Sequence, residues 1–249
     1  LTPSNPGCSG GTIGVDSFTG SLSNVNLCSN EIHVQVDTIA MTQLGAGLVF
    51  SSPSLEGILH LEGAGGPAMA ITTVQGNVIM TNMNILLDKD LAIDTTSLGS
   101  FPVGAGIVLQ NIDATGIGIG ILLNAGNSVI NLGDIGRSSS PKNVIAHGSA
   151  IFAKNVITQG GGSVNFLGPV FLERTSIFDT SNGGGNITLH SVDSIRPGYS
   201  SLVVNAGTGN VLIQGIGANS PMGDVLIVSA ADGVVTGDII TQNGIVQIV

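Results

Sequence analysis

A short unit recurs along this chain: a glycine, one or two small polar residues, then alternating apolar positions. It reads Gly76-Asn-Val-Ile-Met, Gly126-Asn-Ser-Val-Ile-Asn-Leu, Gly162-Ser-Val-Asn-Phe, Gly185-Asn-Ile-Thr-Leu, Gly209-Asn-Val-Leu-Ile, Gly223-Asp-Val-Leu-Ile and Gly244-Ile-Val-Gln-Ile-Val. Each copy is a turn residue feeding a strand of three to six residues. Gly162 to Gly185 is 23 residues and Gly185 to Gly209 is 24, about the length of one coil of a parallel β-helix, so the repeat reads as a solenoid. The shorter interval from Gly209 to Gly223 fits if more than one strand per coil begins with a glycine.

One such coil cannot bury its inward side chains or pair its own backbone donors. Stacking puts Val, Ile and Leu of successive coils in columns and bonds each strand to the coils above and below. Gly and Asn at the corners are expected to take up positive φ angles. The Asn residues at 77, 127, 186 and 210 are expected to stack as amide ladders. The sequence therefore predicts an all-β, right-handed parallel β-helix in a single elongated domain. A β-sandwich is the alternative, but it usually carries core aromatics and more Asn-Gly or Asp-Gly hairpin turns than the three found here, at Asn182, Asp232 and Asn243.

Composition agrees with a solenoid. Charged residues make up 9% of the 249 and aromatics 3%, with no Trp and 38 Gly. An α/β enzyme of this length needs more charge to solvate its helices. Apolar content of 42% argues against disorder. Its runs, such as Ile117 to Leu123, are too short and too Gly-interrupted for a membrane helix, so no membrane insertion is expected. A net charge of −10 with six basic residues excludes a nucleic-acid partner, because a phosphate backbone needs a basic surface.

The chain divides into residues 1–40, an N-terminal cap region; 41–160, irregular coils with longer loops such as Arg137-Ser-Ser-Ser-Pro-Lys142; and 161–249, regular coils. The cap region holds both cysteines, Cys8 and Cys28. With no further Cys they do not form a zinc set, and a disulfide between them would place the protein in an oxidising compartment. Two buried thiols are the alternative. The chain opens on Leu1 without Met or a charged leader, as expected after removal of a signal peptide.

The C-terminal part carries a family resemblance. The runs Phe166-Leu-Gly-Pro-Val-Phe-Leu, Gly183-Gly-Gly-Asn-Ile-Thr-Leu, Ser201-Leu-Val-Val-Asn-Ala-Gly-Thr-Gly-Asn-Val-Leu-Ile-Gln-Gly-Ile-Gly and Pro221-Met-Gly-Asp-Val-Leu-Ile resemble repeats of filamentous-haemagglutinin-like bacterial surface proteins, over about residues 164–240. The resemblance implies secretion, a right-handed β-helix and a role in adhesion or surface coating.

β-Helices also host polysaccharide lyases and hydrolases, whose chemistry needs clustered carboxylates and a base. The best cluster is Asp88-Lys89-Asp90 with Asp94. Asp88 and Asp90 share a strand face and could hold Ca²⁺ with loop oxygens, but a solvated loop between coils is the favoured reading. His33 and His60 read as outward polar positions in alternating strands, either surface or stacked. His147-Gly148 resembles a fragment of the pectin-hydrolase pattern without its upstream acids, and His190 has no motif around it. No Gly-x-Ser-x-Gly elbow or phosphate loop exists. The residues thus assign no catalytic group, no cofactor and no metal, and the protein reads as a non-enzyme.

The last residues, Ile245, Val246, Ile248 and Val249, read as an apolar strand with no cap after it. Such an end implies a longer repeat protein, a locally shielded edge, or an assembly surface for another subunit. The functional expectation is a secreted, extracellular or cell-surface structural or adhesive protein that self-associates as a homopolymer or contacts a cell-surface or matrix partner. A polysaccharide-binding or polysaccharide-cleaving module is the alternative.

Overall fold

The computed structural model describes residues 9–16, 24–96 and 103–249. Every element among them is a β-strand, and every strand pair is parallel. The strands wind into one elongated solenoid of about ten turns. Each turn visits three faces. Strand Val25–Val34 bends around a corner: its first half pairs with Leu48–Ser51 on one face, its second half with Gly57–Leu61 on the next. Thr38–Met41 then starts the third face by pairing with Ala68–Thr73.

The fold follows from the period-two pattern within each strand. Alternate positions point inward and stack on their counterparts one coil later. On the face begun by the second half of Val25–Val34, Ile32, Leu59, Ile85 and Ile112 are paired in register, and isolated bridges carry the column through Ile135 to Val156. Phe178, Val204 and Ile227 continue it, and all nine side chains are buried. The third face stacks Ile39, Ile71, Ile93, Leu123, Ala146, Phe166, Leu189 and Ile213 in the same way. Phe166 and Phe178 meet edge to face inside, with ring centroids 5.8 Å apart.

Coil length can be read from that column. Ile39 to Ile71 takes 32 residues and Ile93 to Leu123 takes 30, whereas Phe166 to Leu189 takes 23 and Leu189 to Ile213 takes 24. The extra residues of the longer coils lie in turns, where insertions leave the strand register intact. Within residues 1–40, Ser9–Val15 already pairs in parallel with Val25–Val34.

The glycine-led units are strands on all three faces, which is why their spacing is uneven. Gly76 and Gly126 precede strands of one face, Gly162, Gly185 and Gly209 of another, Gly223 and Gly244 of the third. The expectation that these glycines relieve positive φ is corrected for the stack Gly162–Gly185–Gly209. None of the three has a positive φ. Instead, a Cβ on Gly185 would meet the Gly162 carbonyl oxygen at 1.8 Å, and one on Gly209 would meet that of Gly185 at 2.2 Å. Close backbone approach between coils selects glycine there.

The Asn residues are corrected likewise. Asn77 Oδ1 accepts from the Gly106 N–H at 2.8 Å, and Asn186 Oδ1 from the Asn210 N–H at 2.9 Å. These amides tie a side chain to the backbone of the next coil. Amide-to-amide contact occurs elsewhere: Asn111 Nδ2 donates to Asn84 Oδ1 at 3.0 Å, while Asn155 Nδ2 donates to the Asp134 carboxylate at 2.9 Å.

Candidate functional site

The outward columns carry the chemistry. Register alone places His60 over His33, since the two are Cα partners in adjacent parallel strands. Glu31 lies two residues before His33 and therefore faces the same way. Glu62, two residues beyond His60, completes the patch.

The imidazoles of His33 and His60 stack with centroids 4.2 Å apart and planes 6° from parallel. Glu31 Oε1 lies 3.2 Å from His33 Nε2 and 3.4 Å from His60 Nε2. His33 Nδ1 lies 2.6 Å from Glu62 Oε1. An ionised carboxylate only accepts, so this nitrogen carries a proton and donates it. The Gln35 amide braces Glu62 from the other side at 2.8 Å, and the Thr12 hydroxyl donates to Glu31 at 3.1 Å. The four side chains are half-buried.

Electrostatics follow the bonds. Glu62, first of all, raises His33 above its ordinary value. The Thr12 hydroxyl, followed by His33, lowers Glu31. His33, followed by Gln35, lowers Glu62. Hydrogen bonding to the charged form is the leading cause in each case. Chemically the patch offers two imidazole nitrogens and a carboxylate oxygen, all within 4.8 Å of one another, a donor set that could hold a divalent metal.

Sequence reading placed His33 and His60 outward, as they are, but did not join them to Glu31 and Glu62. The missing signal was register: His33 and His60 are 27 residues apart, one coil in this part of the chain, inside matching Ile-His-Val and Leu-His-Leu triplets.

The other candidates are held apart. Asp90 Oδ1 accepts from the Gly120 N–H at 2.7 Å, Asp94 Oδ1 from the Thr96 N–H at 2.8 Å, and Asp88 from the Thr115 hydroxyl. Each carboxylate thus serves a different turn. His147 and His190 are exposed on separate turns. Cys28 lies half-buried on Val25–Val34, while Cys8 lies outside the described residues, and the pairing expected of the two lies there with it. Ile245, Val246, Ile248 and Val249 are all exposed on the last coil. Phe152 and Phe171 stack outward with ring centroids 5.4 Å apart, and Phe152 lines an open groove that also carries Lys154 and Glu173.

The architecture is that of a parallel β-solenoid repeat protein. The chain matches no family model, no curated protein and no solved structure.

Proposed function

We propose that this chain is the shaft of a secreted, cell-surface β-helix of structural or adhesive role, in the manner of the filamentous-haemagglutinin-like proteins that residues 164–240 resemble. The observation that carries this reading is the ladder: three parallel faces bonded coil to coil, one of them running from Ser9–Val15 to Val246–Ile248. A ladder of this kind makes long, repetitive outer faces whose residues act collectively. The exposed Ile245, Val246, Ile248 and Val249 form a surface for one more coil, supplied by the same polypeptide or by a second copy.

Phe152 and Phe171 favour a second reading, a polysaccharide-binding module, since an aromatic pair beside charged groups suits sugar rings. A single comparison separates the two. The purified chain is assayed for adhesion to immobilised cells and matrix proteins, and in parallel on a glycan array with measurement of released reducing ends. Adhesion without sugar release supports the structural reading. Glycan binding lost in Phe171→Ala supports the second, and release of reducing ends overturns the non-enzymatic assignment.

A further inference from the structure

We propose that Glu31, His33 and His60 form a site for one divalent transition-metal ion of the zinc class, held between two successive coils. The inference is independent of the adhesive reading and rests on three geometric facts.

The first is distance. Glu31 Oε1 lies 3.2 Å from one imidazole Nε2 and 3.4 Å from the other. Ligands bound to one tetrahedral ion at about 2.0–2.1 Å stand about 3.4 Å from one another. Both contacts to the carboxylate therefore already have the length of an edge of the coordination shell. Bringing the two imidazole nitrogens to the same separation requires only rotation of the half-buried side chains, because the backbone register already aligns them.

The second is the direction of the lone pairs. His33 gives its Nδ1 proton to Glu62, so in the neutral ring Nε2 carries the lone pair and points at Glu31. Without a metal, a second proton fills that position and His33, as imidazolium, donates to both carboxylates; a metal ion takes the place of that proton. An ion at the meeting point satisfies His33, His60 and Glu31 together.

The third is support behind the ligand. Glu62 holds the far nitrogen of His33 and is itself held by Gln35. A carboxylate on the second imidazole nitrogen is the arrangement that fixes ring orientation and tautomer in metal-binding histidines. Two imidazoles and one carboxylate suit zinc and its neighbours, whereas calcium and magnesium want oxygen-only shells. Three protein ligands leave a fourth position to water on the outer face.

Such an ion links strand Val25–Val34 to strand Gly57–Leu61 from outside the ladder. It acts as a staple between early coils and stabilises the folded chain by mass action.

The test uses the whole chain, stripped with chelator and dialysed against zinc chloride, with bound metal counted by mass spectrometry. One zinc per chain is expected, with a higher unfolding midpoint in zinc and no such effect of calcium. His60→Ala should abolish both effects, Glu62→Gln should weaken binding about tenfold to a hundredfold, and His147→Ala should change nothing. Failure of the folded wild-type chain to bind zinc overturns the proposal, as does stoichiometric binding that survives loss of both His33 and His60. If the variants do not fold by circular dichroism, X-ray absorption of the zinc-loaded wild-type chain decides. Two imidazoles in the shell support the site; a shell without imidazole overturns it.

Discussion

The carbonyl oxygen of Gly162 lies 1.8 Å from the point where a side chain on Gly185 would begin. These two glycines occupy the same corner of adjacent coils, and the Gly185 carbonyl stands in the same relation to Gly209 at 2.2 Å. Backbone stacks on backbone there, and the space for a Cβ does not exist.

Gly185→Ala should therefore cost about 1–3 kcal/mol, as over-packing does when the obstacle is backbone and cannot swing away. Urea unfolding of the pair of proteins measures it. Gly65→Ala, where nothing lies within 4 Å of the added Cβ and φ is not positive, should stay near wild type. Equal effects at the two positions would contradict the stacking account.

Phe178 is fully buried and meets Phe166 edge to face, whereas Phe171 points outward and is half-buried. Truncation of Phe178 to Ala should cost about 3–5 kcal/mol through lost burial and a residual cavity. Phe171→Ala should cost distinctly less in the same denaturant series. A larger loss at Phe171 would mean that the inward and outward positions of these two strands are assigned the wrong way round.

Asp37 sits beneath the turn of the next coil. The Gly66 N–H, foremost, then those of Ala64 and Gly65 and the Lys89 ammonium hold its pKa below the usual 3.8, at about 2. A depressed carboxyl stabilises the fold above its unfolded pKa, and that contribution fades as pH falls through the folded value. The difference in unfolding midpoint between wild type and Asp37→Asn should be full at pH above about 5, shrink as pH falls through about 2 and vanish near pH 1. Carbon NMR of the Asp37 carboxyl gives the titration directly; a midpoint near the ordinary value would refute the bonding described.

Much of the fold was legible because the coil repeat and the strand repeat are both written in residue type. Gly162, Gly185 and Gly209 mark one corner at nearly constant spacing, and Val164, Ile187 and Val211 follow each of them into the core. Other features depended on register that the uneven early coils conceal. Gly136 and Gly217 open equivalent turns in the runs Ile135-Gly-Arg-Ser-Ser and Ile216-Gly-Ala-Asn-Ser, each with a φ near +74°. In one, Asp113 accepts from the Ser138 and Ser139 N–H groups; in the other, Asp193 accepts from those of Asn219 and Ser220. The Ile-Gly-x-x-Ser signal was present in the sequence, but its copies fall on different faces and keep no fixed spacing from the glycine units. The His33–His60 patch was hidden for a related reason. A 27-residue step matches none of the regular C-terminal intervals, so the matching Ile-His-Val and Leu-His-Leu triplets alone do not show that the two rings share a column.

Electron microscopy of the purified, concentrated chain tests the structural reading most directly. The account predicts filaments one solenoid wide that lengthen with concentration, and their loss in Ile248→Asp, which puts charge on the exposed last strand. Isolated particles at every concentration, or filaments indifferent to Ile248→Asp, would contradict end-to-end assembly through the last coil.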